Sequence, residues 1–292
     1  MQIETLKVFC DLVETRSFSQ SALRNFITQS AVSQQIRNLE TRFDTSLLIR
    51  NGRSIEPTQA GRILHETARE ILDIYDRLQA QLKSAGREMA GNLRVATIYS
   101  VGLYEMSLAI RTFLKRYPKV NLHVEVSRSS RVYEDCLRGA IDLGIVAFPK
   151  PRKGLEIVSL PSDRLTLICS PEHAFARRTH INLRKIDGEN FVAFAKDVPS
   201  RRAIDQILSE NGASVRIVME FDNIETIKRA VEIGAGLSIV PLLTIQREVQ
   251  AGTLAQVQFT RKSFLRPLGA VVRQNRPLAP AAQKFIELLQ HS

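Results

Sequence analysis

The feature that most constrains this chain is an amphipathic stretch that runs straight into a basic hairpin. Val32, Ile36, Leu39 and Phe43 recur at helical spacing, so the pattern predicts a helix from Thr28, its cap, to about Arg42. Gln29, Ser30, Ser33, Gln34 and Arg37 fall on the opposite, outer face. Residues 45–58 then read as two short strands around an Asn51-Gly52 turn, with Arg50 and Arg53 at or beside the tip. Two helices come earlier. Ile3, Leu6, Phe9 and Val13 mark one over 2–14, and Ser19 is expected to cap a second over about 19–25 that turns Ala22 and Leu23 inward. With a brief connection at Phe26-Ile27, residues 1–58 are expected to form an all-α helix-turn-helix followed by a wing.

That geometry has a chemical use. The second helix of such a motif enters the major groove by its N-terminal half. Amides such as Gln29 and Gln34 suit adenine edges, while hydroxyls and arginines read other edges or grip phosphates. A polar outer face alone is also what any solvated helix presents. The basic hairpin that follows favours the nucleic-acid reading, because a wing can touch the backbone or the minor groove.

Beyond the hairpin, Leu64, Ala68, Ile71, Tyr75, Leu78, Leu82 and Ala85 repeat at four and three residues, a heptad seam. Thr58 can cap this long linker helix (residues 59–88) and Gly86 can end it. A narrow apolar stripe needs a partner, either its own chain or a second copy. The second copy is favoured because paired half-sites need two reading heads.

From Ala90-Gly91-Asn92 onward, strands and helices alternate. Strands are expected at 93–98, 120–126, 141–148, 164–169, 191–195, 215–221, 237–240 and 268–273. Helices are expected over Leu103–Tyr117, at 132–137, 200–211, 223–233, 241–250 and 279–290. Such alternation argues a largely parallel sheet flanked by helices. Its length suggests two lobes, 91–161 with 267–292 and 162–266, within an effector domain spanning 91–292. Ligands of open α/β sheets sit at strand C-terminal ends. The junctions there carry Tyr99-Ser100-Val101, Ser127-Arg128-Ser129-Ser130, Lys196 with Ser200-Arg201-Arg202, and Asn223 with Thr226. Helix starts, hydroxyls and arginines together make an anion cradle, with Ser100 the leading candidate for a ligand hydrogen bond.

Composition narrows the classes. The net charge is +11, yet residues 1–88 carry 12 Lys+Arg against 11 Asp+Glu, so the basic excess lies further along, where it suits steering to DNA or an anionic ligand. Cys10, Cys136 and Cys169 form no CxxC pair, and the five histidines show no ligand spacing, so neither a disulfide framework nor a metal is expected. No catalytic motif, cofactor loop, membrane span or export signal is visible. A solute-binding protein or enzyme on the same α/β fold is the main alternative, disfavoured by those absences. A sequence-neutral DNA binder is disfavoured by the near-neutral first third.

Thr28-Gln29-Ser30-Ala31-Val32-Ser33, Ile36, Leu39-Glu40, Leu47-Leu48-Ile49-Arg50 and Thr58-Gln59-Ala60-Gly61 resemble, in order and spacing, the signature of LysR-type transcription regulators. The chain departs from it at Ser30 (commonly proline), Asp44 (commonly glycine) and Leu48 (commonly phenylalanine). The resemblance implies double-stranded DNA contacts at Gln29, Ser30, Ser33, Gln34, Arg37, Arg50 and Arg53. It implies a periplasmic-binding-protein-like α/β domain whose effector cleft is lined by 99–102, 127–130, 194–202 (Phe194 included) and 223–226. It also implies dimers through the linker helix, with tetramers common, activation of a neighbouring gene and a cytoplasmic location. It leaves open RNA polymerase as a further partner and a redox role for Cys136 or Cys169.

Overall fold

The structure, a computed structural model, describes residues 2–51, 54–84, 89–260, 263–274 and 277–291. The chain forms two compact units, residues 1–88 and 89–292. No helix among the described residues is long and apolar enough to cross a membrane.

In the first unit, α1 (Ile3–Thr15), α2 (Phe18–Asn25) and α3 (Gln29–Phe43) enclose a small core of Phe9, Leu12, Ala22, Val32, Ile36 and Leu39, closed by Leu47 and Leu48. Thr28 caps α3 as expected, accepting the Ala31 N–H at 3.2 Å. The cap of α2 is Ser17 rather than Ser19: its hydroxyl accepts the Gln20 N–H at 3.3 Å. The shifted start changes the inner face. Ser21, donating to the Val8 carbonyl at 3.1 Å, and Ala22 turn inward, whereas Leu23 is exposed. Phe43, in the last turn of α3, is exposed too, not part of the inner stripe.

The wing strands β1 (Leu48–Asn51) and β2 (Ser54–Pro57) pair antiparallel from Leu48–Pro57 to Asn51–Ser54. Asn51 is therefore the last paired residue of its strand and not a turn residue. Arg53 lies outside the described residues, as does the side chain of Arg50. Three residues of the sequence signature fix this hairpin. Glu40 Oε1 accepts the N–H groups of Leu47 and Leu48 at 2.9 and 3.4 Å. Thr58 caps the next helix through the Gly61 N–H at 2.9 Å and donates to the Ser46 carbonyl at 2.7 Å. Gly61 meets the Leu47 carbonyl oxygen so closely that an added Cβ would lie 2.0 Å from it. Asp44 closes α3 at φ 47°, ψ 42°, the left-handed conformation that glycine adopts without a Cβ penalty. Asp44→Gly is expected to stabilise this unit by about 0.5–1 kcal/mol, read as a higher urea midpoint at unchanged slope.

The helix α4 (Gln59–Ser84) corrects part of the expected seam. Ala68 is wholly buried against Leu6 and Cys10 of α1, and Leu64 and Ile71 pack around it, so these three serve their own chain. Among the described residues of this helix the exposed large apolar ones are Ile63, Ile74 and Leu78, on a stripe roughly 80° round the helix. Tyr75 is half-buried, and the side chain of Leu82, with Ala85 and Gly86, lies outside the described residues.

The second unit is built on a mixed sheet, not a largely parallel one. Its strands are β3 (Ala90–Thr97), β4 (Lys119–Val126), β5 (Leu143–Ala147), β6 (Leu155–Cys169), β7 (His180–Ile181), β8 (Asn190–Phe194), β9 (Arg216–Phe221), β10 (Ser238–Pro241), β11 (Ala255–Phe259) and β12 (Phe264–Arg273). The main order is β4-β3-β5-β12-β6-β11-β7, with β10 also on β6 and β8 beside β9. β4, β3 and β5 run parallel, but β12 is antiparallel to both β5 and β6. The reason is topological. The long strand β6 carries the chain out of one half and β12 brings it back alongside, so the two crossovers oppose each other. Their ladder slips between Arg266 and Leu268, where Pro267 has no N–H to donate. One core gathers residues between Leu165 and Phe259, and another gathers Leu93–Leu160 with Leu268–Leu289.

Helices α5 (Tyr99–Leu103), α6 (Ser107–Arg116), α7 (Ser129–Arg138), α8 (Pro199–Glu210), α9 (Ile224–Glu232), α10 (Gln246–Ala251) and α11 (Pro280–Gln290) flank the sheet. The single helix expected over Leu103–Tyr117 is broken at Tyr104-Glu105-Met106, and that over 241–250 opens with a 3-10 turn, Leu242–Ile245. Strand β6 starts earlier than expected, and β7 and β11 were not legible at all.

Candidate functional site

The outer face of α3 stands as the sequence suggests. Gln29, Ser30, Gln34 and Arg37 are exposed and Ser33 is half-buried. The side chains are preset by local bonds. Gln29 Oε1 accepts from Ser19 at 3.4 Å, Thr28 and Ser30 hydroxyls share a bond of 2.9 Å, and Gln34 Nε2 donates to Asn38 at 2.9 Å. Ser19 thus orients Gln29 in place of its expected capping role. Arg24 is taken up by Asp11 and Glu14, at 3.3 and 3.6 Å.

In the second unit a cleft of about 870 Å³ is lined from both cores. Four helices start at it: α5 at Tyr99, α7 at Ser129, α8 at Pro199 and α9 at Ile224. Among the described residues no side chain caps α7, so its first N–H groups remain for a ligand, whereas α8 opens on Pro199, which has no N–H, and its Arg201 N–H is taken by the Val198 carbonyl at 3.0 Å. Asn223 caps α9 through the Thr226 N–H at 3.0 Å. Arg128, Lys150, Arg152 and Arg202 face Asp197 and Asp222 in the lining. Both carboxylates are engaged by Arg128, at 3.2 and 3.6 Å, a pair of bridges from the start of α7 to the loops before α8 and α9.

The sequence-derived residues Tyr99, Ser100, Ser127, Arg128, Ser129, Phe194, Ser200, Arg202 and Asn223 come together here. Four others do not. Val101 is buried in the core, and Lys196 is exposed outside the cleft. Thr226 is consumed by the α9 cap, its hydroxyl bonding Asn223 at 3.0 Å. Arg201 turns inward and donates to the Phe194 carbonyl at 2.8 Å, to Glu220 at 2.7 Å and to Asp205 at 2.8 Å. Burial opposes its charge, but the hydrogen bonds to Glu220 and Asp205 outweigh it and hold the guanidinium charged.

Sequence reading missed the wall supplied by the loop after β5. Phe148, Lys150 and Arg152 line the cleft beside Tyr133. The Lys150 N–H donates to Tyr133 Oη at 2.8 Å, and the Arg152 guanidinium lies 4.4 Å from the Tyr133 ring centre. Phe148 packs against both cores at φ 49°, its N–H bound to the Pro267 carbonyl at 2.8 Å. The signal was available, since this loop leaves the C-terminal end of a fully buried strand.

Beneath the cleft run two buried polar networks. Arg266, with no exposed surface, donates to Ser100 Oγ at 2.6 Å and pairs with Glu105. Lys228, 2% exposed, reaches Tyr104 Oη at 2.7 Å, the Thr244 carbonyl at 3.0 Å, Glu248 at 2.7 Å and Glu225 at 2.9 Å. The thiols offer no comparable chemistry. Burial pushes Cys136 up to about 12 and Cys169 to about 11, which keeps both protonated and weakly nucleophilic.

A winged helix-turn-helix unit joined to a cleft-bearing α/β unit defines a DNA-binding transcription regulator with an effector domain. Residues 3–62 match the family profile described as bacterial regulatory helix-turn-helix protein, lysR family, and residues 86–292 match LysR substrate binding domain. The chain belongs to the LysR family of transcriptional regulators. It is 30% identical to a probable RuBisCO transcriptional regulator of Cyanidioschyzon merolae, over 98% of this chain and 96% of that one. Among solved structures it is similar to a variant of full-length OxyR from Pseudomonas aeruginosa (TM-score 0.79, 18% identity, 99% of this chain and 94% of that one). It is similar also to full-length CbnR complexed with its target DNA (TM-score 0.68, 22% identity, 100% of this chain and 99% of that one).

Proposed function

We propose that this regulator binds a partly palindromic operator through Gln29, Ser30, Ser33, Gln34, Arg37, Arg50 and Arg53, under control of a small anionic effector held in the cleft of the second unit. The functional blocks are 1–58, 59–88 and 91–292, the last divided into lobes 91–161 with 267–292 and 162–266. The observation that carries the effector reading is the cleft lining: Lys150, Arg152 and Arg202 together with the uncapped start of α7, with both lining carboxylates already spent on Arg128. Such a surface favours carboxylate, phosphate or sulfate over a cation or a neutral solute. No catalytic role is proposed, and a cytoplasmic location follows from the DNA partner.

Closing the lobes on the effector would change the placement of the reading heads, and the coupling is reciprocal: operator DNA alters effector affinity by the same factor. Calorimetric titration tests the cleft. Ser100→Ala and Arg202→Ala are expected each to weaken effector binding by about tenfold or more, the loss of one charge-assisted hydrogen bond. Wild-type affinity in both variants rejects the assignment.

The homo-oligomer is proposed to form along α4, on the stripe of Ile74 and Leu78 with Tyr75 at its side, rather than through Leu64, Ala68 and Ile71. Ile74→Asp is expected to raise the dimer dissociation constant by about a hundredfold, because a carboxylate is forced into an apolar seam. Sedimentation velocity at micromolar concentration reads the outcome. A variant that remains wholly dimeric would move the interface off this stripe.

A further inference from the structure

We propose that Arg266 is a positioning residue for effector recognition: it commits the Ser100 hydroxyl to donate into the cleft, so the ligand group seated there is an acceptor oxygen of a deprotonated oxyanion. This inference rests on the cleft being the effector site, and it adds which chemical group meets one point of that cleft and why.

Three observations carry it. Arg266 sits on β12 at the crossover, wholly buried, and its Nη2 reaches Ser100 Oγ at 2.6 Å. A guanidinium has donors only and does not lose its proton in proteins. At that contact the serine oxygen must therefore accept. Ser100 lines the cleft, and among the described residues no acceptor is found for its own proton. A hydroxyl has a single proton, so that proton remains for the ligand. The charged donor behind the oxygen also polarises the O–H bond, strengthening it as a donor and weakening its second lone pair as an acceptor.

The third observation is that the pair behind Ser100 is not saturated within the chain. Arg266 Nε and Glu105 Oε2 are buried and lack hydrogen-bond partners among the described residues. A purely structural ion pair tends to be saturated. Glu105 also balances the Arg266 charge, which separates two duties. The counter-charge for an anion comes from Lys150, Arg152 and Arg202 in the wall, since Arg128 is bridged to Asp197 and Asp222. The choice of an acceptor over an N–H group comes from Ser100, held by Arg266. An amine or amide placed at Ser100 would bring its N–H against a hydroxyl that is itself offering a proton.

The test uses the full-length protein, with inorganic phosphate and sulfate as probes in calorimetric titrations. Arg266→Gln combined with Glu105→Gln removes both charges of the pair and keeps a polar side chain at each place, while the neighbouring buried Asp163 retains the Arg164 and Leu243 N–H groups. Oxyanion affinity is expected to fall tenfold or more in this double variant and in Ser100→Ala. Combining all three changes should give no further loss, because Arg266 acts through Ser100. A merely structural role for Arg266 would give additive losses or none. A folded Arg266→Gln/Glu105→Gln protein with wild-type affinity, while Ser100→Ala and Arg202→Ala lose theirs, overturns this proposal and leaves the cleft reading intact. Phosphate and sulfate binding unaffected by Ser100→Ala and Arg202→Ala, or undetectable in the wild type, overturns both. Should the double variant not fold, Ser100→Cys decides the donor role: the thiol keeps the size but donates weakly, so affinity must fall as in Ser100→Ala, and wild-type affinity overturns the proposal.

Discussion

Replacing Lys228 with methionine is expected to destabilise the effector domain by about 3–5 kcal/mol, a large share of the stability of a domain this size. The ammonium group is 2% exposed and makes its four contacts within 3.0 Å, to Tyr104, Thr244, Glu225 and Glu248. Burial opposes its charge, but the hydrogen bonds with Glu248, Tyr104 and Glu225 outweigh that and raise its pKa above the free-lysine value. A raised lysine pKa contributes stability that is complete below the unfolded value and is lost only as pH rises through the folded one, so at neutral pH the contribution is whole. Methionine fills the space but leaves Glu248, whose second oxygen already lacks a partner among the described residues, as an unpaired buried carboxylate. Urea denaturation of the full-length protein checks the loss. Adding Glu248→Leu should recover most of it, because removing both partners of a buried pair costs far less than removing one. A single variant within about 1 kcal/mol of wild type would mean that the network contributes nothing net.

The same network shows where sequence reading stopped. Tyr104 lies in the break between α5 and α6, in a stretch whose apolar spacing predicts one continuous helix. Its hydroxyl donates to Glu225, 121 residues away, and no local pattern announces that contact. Arg201 and Arg202 make the point most sharply. Both open α8, about 100° apart on the helix, and only one can face the cleft. Which one depends on Glu220 and Asp205 waiting on the inner side for Arg201. What periodicity could reveal, it did: α3 with its cap, the hairpin, the linker helix, and the strand ends where the helices of the cleft begin. Glu40, Thr58 and Gly61 were legible as a pattern before their reason was. The structure supplies it, as two N–H groups satisfied, one helix capped and one carbonyl with no room for a Cβ. The heptads of α4 were real but ambiguous, because an apolar arc can face its own chain on one side and a second copy on the other.

Gln29→Ala is expected to lower operator affinity by about 10- to 100-fold, the 1–3 kcal/mol that a bidentate base contact contributes, and to relax sequence preference at one position of each half-site. Gln29 opens α3 and is exposed, and the Ser19 hydroxyl bound to one lone pair of its Oε1 leaves the other lone pair and the Nε2 protons for a base edge. That preset geometry means little side-chain entropy is lost on docking. Arg37→Ala should behave differently. A guanidinium two turns further along the helix is proposed to grip a phosphate, so its removal should weaken all sequences alike and lower the salt slope by about one. Fluorescence anisotropy with operator and scrambled duplexes, each at several salt concentrations, separates the two signatures. The ratio of operator to scrambled affinity should collapse in Gln29→Ala and survive in Arg37→Ala. Equal losses on both duplexes for Gln29→Ala would place that amide on the phosphates, leaving sequence discrimination to Ser33, Gln34 and the wing.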